Sequence, residues 1–136
     1  MHNEALQNPR VIVIQKLYGH HLNKDSELIF PKHKYKKFIK DVVNGTIERK
    51  EYIQEMMNKE LKDDINENKT ELMIKLMIMA AIYEFMFMHK TPVKVIINEY
   101  LKVSDFFVAD SQKGFLNAIL DKVSKLSQIK HEWILN

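Results

Sequence analysis

The stretch LMIKLMIMAAIYEFMFM, Leu72 to Met88, decides the fold. It holds two charged side chains, Lys75 and Glu84, and five of the chain's eight methionines. Apolar residues here fall on every side of a helix with 3.6 residues per turn, so the helix they predict is enclosed nearly all round. The run is shorter than the roughly 20 apolar residues that cross a bilayer, and its two charges oppose membrane burial as well. It therefore reads as the central helix of a core, with methionine filling irregular gaps.

Helical signals continue on both sides of it. Downstream, Thr91 and Pro92 look like a cap followed by a first-turn proline, opening a helix to about Phe107. Another is expected from Ser111 to about Lys125, followed by a short C-terminal segment around Trp133 that packs back. Upstream, KDDINENK (Lys62 to Lys69) is charged and amide-rich and reads as a linker with nothing to give the core. Asn8 and Pro9 form a second cap-and-proline start, and apolar residues at 11, 14, 17, 18 and 22 give helical spacing to Leu22. A loop over His20 to Asp25, a helix from Lys34 to Asn44 stopped by Gly45, and a helix from Thr46 to about Leu61 complete the half. With three glycines and three prolines in 136 residues, tight hairpins are scarcely provided for. The fold class is all-α, in one domain spanning 1–136.

Composition narrows the function. There are no cysteines and the net charge is +3, which excludes disulfides and thiolate metal sites and permits phosphate contact without demanding it. The polar opening MHNEALQNPR lacks the layout of a signal peptide, so a cytoplasmic protein is expected. The six histidines include no i,i+4 pair, and no glycine-rich phosphate loop or nucleophile elbow exists. No catalytic residue, metal or cofactor is expected.

Binding features are better represented. PKHKYKKFIK (Pro31 to Lys40) interleaves five lysines with Tyr35 and Phe38, which could meet phosphates and bases, but a solvated helix face with Phe38 and Ile39 turned into the core is the favoured reading, since lysine-rich faces are common. Gln15 and Tyr18, three apart, share one helix face, and Arg10 lies about one turn before Ile14. Amide, phenol and guanidinium groups are common RNA contacts. From the residues alone, Tyr18 and Phe115 read as core aromatics at least as readily. Asn117 and Asp121, four apart, read as a hydrogen-bonded polar pair.

Four segments carry a resemblance: RVIVIQKLY (Arg10 to Tyr18), LMIMAAIYEF (Leu76 to Phe85), TPVKVIINEY (Thr91 to Tyr100) and GFLNAILDKV (Gly114 to Val123). In this order they resemble the NusB family of transcription antitermination factors. The resemblance implies six or seven helices in two small bundles, about 1–66 and 67–136. It also implies binding of the single-stranded boxA element of ribosomal RNA leader transcripts together with the ribosomal protein NusE, within an RNA polymerase antitermination complex. Arg10, Gln15 and Tyr18 match the family pattern R-x-x-x-x-Q-x-L-Y on an RNA-facing helix. Phe115, Asn117 and Asp121 match F-x-N-x-x-L-D, with Phe115 as a base-stacking platform and Lys113 beside it as a further RNA contact. For the NusE surface the resemblance points to Glu84, Phe107, Asp110 and Ser111. Where the family carries an arginine-rich N-terminus, this chain has Leu6, Gln7 and Asn8. Met79 replaces a typical arginine, and Val108 a typical glycine. These departures leave a rival reading: a NusB fold serving as a protein-interaction module, bound to NusE or to a second copy, with little RNA binding.

Overall fold

Asn8 starts the first long helix as its sequence requires. Its side-chain oxygen accepts the Arg10 backbone N–H at 2.9 Å, and Pro9 occupies the first helical position, where its missing N–H costs nothing. The computed structural model describes residues 2–65 and 70–135, with side chains over 5–65 and 70–128. A short α1 (His2–Gln7) precedes α2 (Pro9–Leu22). Then come α3 (Lys36–Glu48), α4 (Lys50–Glu60), α5 (Leu72–Tyr83), a π-helical turn (Glu84–Met88), α6 (Val93–Phe107), a single 3-10 turn (Asp110–Gln112) and α7 (Lys113–Leu135). No strand occurs among the described residues.

The apolar run becomes the centre of the molecule. Ile74, Met77, Ile78, Ala80, Ala81 and Ile82 are fully enclosed, and α5 packs against α2, α3, α4, α6 and α7. Enclosing each large apolar side chain stabilises by about 1.5–3 kcal/mol, so α5 contributes heavily to the stability of the fold. The buried side chains form one cluster that runs from Val11 in α2 to Val123 in α7.

Several elements differ from the sequence expectation. The helix expected to reach Met88 ends at Tyr83, and the next five residues form the π turn, closed by His89 in the left-handed region at φ 52°. Thr91 caps nothing; Pro92 is itself the N-cap of α6. Gly45 does not stop a helix. It lies inside α3, which continues to Glu48, because the Tyr83 ring rests on the backbone there and any Cβ would run into it. The polar segment from Lys62 to Lys69 is more than a linker: Ile65 is buried in the core cluster, and Lys122 reaches Asp64 at 2.7 Å. Its residues 66–69 lie outside the described residues. No break follows Lys125, since α7 runs on to Leu135; the packing of the Trp133 side chain lies outside the described residues. Val108 is extended (φ −135°, ψ 163°), a conformation open to any residue, so the backbone there does not call for glycine.

Candidate nucleic-acid interface

The four residues Val11 to Ile14 are all buried, so α2 is held on most of its circumference by α3, α5 and α6. What remains for solvent is a narrow strip near its C-terminal half. Gln15 and Tyr18 both lie on it, Gln15 exposed and Tyr18 38% exposed. An amide and a phenol one turn apart can bond base edges and offer one ring for stacking.

Arg10 is not part of that strip. It is 8% exposed and turned into the protein, where its Nε and Nη2 donate to the two carboxylate oxygens of Glu84 at 2.9 and 2.7 Å. Tyr100 donates its hydroxyl to the same carboxylate at 2.5 Å. The guanidinium carbon lies 4.7 Å from the Phe38 ring centroid and 5.7 Å from that of Tyr100. Burial works against the charged guanidinium, but its bonds to Glu84 outweigh burial and hold the Arg10 pKa above its ordinary value. Burial, and then the Glu84 charge, push the Tyr100 phenol well above its ordinary value, so it stays protonated. Two residues expected at separate surfaces, Arg10 toward RNA and Glu84 toward a partner, are thus bonded to each other inside the fold. The physical reason is desolvation: a charge in the core is tolerated only when paired and hydrogen-bonded. Sequence reasoning missed Phe38 and Tyr100, which complete this site.

The remaining candidates gather where α6 turns into α7. Phe107 is half-buried at the end of α6, while Asp110 and Ser111 are exposed on the 3-10 turn. Lys113 forms an ion pair with Asp105, and bonding to that carboxylate raises the Lys113 pKa. Phe115 is half-buried against the core, so one part of its ring packs and the other is available. Asn117 and Asp121 are exposed, but Asp121 accepts from Lys125 at 3.0 Å rather than pairing with Asn117. The α7 helix packs mainly on α5, α6 and the π turn. The α2 strip and the α7 candidates therefore lie on different helices that share α5 and α6 as neighbours.

The two remaining departures from the family pattern point inward. Met79 is buried and borders a cleft of about 190 Å³, with Leu17, Thr46, Met57 and Leu76 among its other walls. Val108 is packed against the core.

The lysine-rich segment is fixed beside the start of α2: His33 accepts the Tyr35 backbone N–H at Nδ1, 2.9 Å, and therefore carries its proton at Nε2, which donates to the Leu6 carbonyl at 3.0 Å. Among the described residues no three His, Cys, Asp or Glu side chains are grouped to hold a metal, and no helix is long and apolar enough to cross a membrane.

Comparison with known proteins agrees with the sequence motifs. Residues 7–125 match the model of the NusB family. The transcription antitermination protein NusB of Rickettsia bellii is 33% identical over 85 residues, 62% of this chain and 54% of that protein. NusB of Rickettsia akari is 29% identical over 86 residues, 63% and 55% respectively. That of Mesorhizobium japonicum is 27% identical over 84 residues, 62% and 54%. The matches span about half the length of these curated relatives. The solved structure of T. maritima NusB superposes with a TM-score of 0.75 at 20% identity, covering 88% of this chain and 89% of that one, which establishes the shared fold. With a family match that runs from Gln7 to Lys125 and a helical framework that superposes on a solved member, the chain belongs to the NusB family.

Proposed function

We propose that this chain is a transcription antitermination factor that binds boxA-type single-stranded RNA of ribosomal RNA leader transcripts together with NusE. The observation that carries the reading is the exposed Gln15 and Tyr18 strip on an otherwise enclosed α2, at the positions where the family pattern has its amide and its tyrosine. Tyr18 stacks on a base, an interaction worth about 1–3 kcal/mol, and Gln15 reads an edge beside it. Lys113, Phe115, Asn117 and Asp121 form a second contact region on α7, with Phe115 contributing its uncovered edge. Phe107, Asp110 and Ser111, on the corner between α6 and α7, face NusE. Arg10 and Glu84 belong to neither surface; they tie α2 to the π turn. The protein performs no catalysis, needs no cofactor, and acts in the cytoplasm as part of an RNA polymerase antitermination complex.

Fluorescence anisotropy of labelled boxA RNA against a scrambled RNA of equal length, with and without NusE, tests this. Selective binding that NusE tightens is expected. If NusE binds and no RNA is preferred, the chain is a protein-interaction module on an inherited fold. If neither binds and the protein sediments as a dimer, the surface serves a second copy.

A further inference from the structure

We propose that the segment from Pro31 to Lys40 is a phosphate-binding surface for single-stranded RNA. The inference rests on the RNA-binding reading above and adds to it a site outside the family motifs. Lys32, Lys34, Lys36 and Lys40 are all exposed, and none has a carboxylate partner among the described residues. Only Lys37 is paired, with Asp41 at 2.8 Å. A face built to solubilise a helix usually laces opposite charges at i,i+4. Here Lys36 stands one turn from Lys40, a like-charged pair that repels. Lys36 and Lys37 also open α3, at the end of the helix where cations oppose the macrodipole. Stability does not account for these lysines; neutralisation by a polyanion does.

Position supports the same conclusion. The His33 bridge fixes the segment to the Leu6 carbonyl, two residues before the cap of α2, and Arg10 holds Phe38 from the other side. Leu6, Gln7, Lys32, His33, Lys34 and Tyr35 line a shallow groove of about 560 Å³, and none of the six is acidic. Lys34 lies 5.5 Å from the Tyr35 ring centroid, and Tyr35 is exposed, so charge and a stacking surface occur together, the combination that holds a nucleic-acid strand without reading its sequence. Tyr18 lies roughly 15 Å along the α2 axis from its start, at 1.5 Å per residue. A few nucleotides span that length.

The test is the salt dependence of boxA RNA binding for the full chain and for the variant K32Q/K34Q/K36Q/K40Q. Each phosphate contact contributes about 0.7 to the slope of log affinity against log salt for a single strand. The variant is expected to lose between about 2 and 3 from that slope if most of the four lysines make such contacts. Its affinity should fall about tenfold or more at low salt, equally for boxA and scrambled RNA. Because the four side chains are solvated, the thermal midpoint should hold or rise slightly. Q15A/Y18A should do the reverse, losing discrimination and keeping the slope. If the wild-type chain binds no RNA, the function proposed above fails. If it binds RNA and the lysine variant keeps the wild-type slope, this inference is overturned while the function stands. Loss of NusE binding with unchanged RNA binding would overturn it too, assigning the surface to a protein.

Discussion

Changing Glu84 to glutamine keeps the shape of the side chain and removes its charge, leaving the Arg10 guanidinium in the core with no counter-ion. Glu84 is 2% exposed and accepts two bonds from Arg10 and one from Tyr100. Breaking a buried pair from one side costs about 3–5 kcal/mol. For a domain of this size 1 kcal/mol moves the thermal midpoint by about 4 °C, so E84Q should melt roughly 12–20 °C lower. R10M should cost a similar amount, because it strands the carboxylate instead. The double variant R10M/E84Q removes both charges and should cost no more than the worse single change, giving a coupling of at least about 2 kcal/mol in the cycle. Chemical denaturation of the four proteins measures this directly. Additivity within about 0.5 kcal/mol would refute the reasoning, since residues that do not act as a pair add. RNA affinity of R10M, measured well below its midpoint, should equal that of the wild type; a large loss would return Arg10 to the interface.

Two other perturbations test the packing and the electrostatics. Gly45→Ala should destabilise by about 1–3 kcal/mol through overpacking against Tyr83, whereas Gly19→Ala and Gly114→Ala, with open space around them, should stabilise by about 0.5–1 kcal/mol from helix propensity. Urea midpoints decide it, and a Tyr83→Ala background should abolish the Gly45 penalty. The Tyr100 pKa is raised on folding, so the stability its neutral form contributes is complete below the unfolded tyrosine value of about 10 and is lost as pH rises from there toward the folded value. Wild-type stability should therefore fall above pH 10 by up to about 1.4 kcal/mol per pH unit from this group. Y100F should be weaker at neutral pH and flatter above pH 10; parallel curves would refute the assignment.

The framework could be read from the chain because its signals are local. Asn8 and Pro9 mark a helix start whatever surrounds them, and the run from Leu72 has no polar side to turn outward. Gly45 misleads because a glycine stops helices by its own conformational freedom, while here its use is an aromatic ring from another helix, which only the folded chain supplies. Arg10 misleads for a related reason: the spacing R-x-x-x-x-Q-x-L-Y fixes neighbours along α2 but not which of them turn inward. The signal was present elsewhere. A single carboxylate in seventeen mostly apolar residues, and a tyrosine on the buried stripe of Ile96, Ile97 and Val103, both require polar partners in the core, and Arg10 is the cation that meets them. The exposed strip of α2 and the position of the lysine segment depend on long-range packing, which no local pattern encodes.

The π turn from Glu84 to Met88 sets the phase between two parts of the chain. An α-helix advances about 100° per residue, and a turn closed at i+5 holds one residue more than the helix would. The chain therefore leaves the central helix at Met88 one position later than a continued α-helix would allow, and His89 then breaks the helix in the left-handed region. Deleting one residue inside the turn would give a more regular helix and rotate the point where the chain leaves it by about a quarter of a revolution, so the loop into α6 would start from a different side and the contact of Tyr100 with Glu84 would be disturbed. In this segment local regularity and global fit oppose each other, and a variant selected for better helix geometry would have the worse fold.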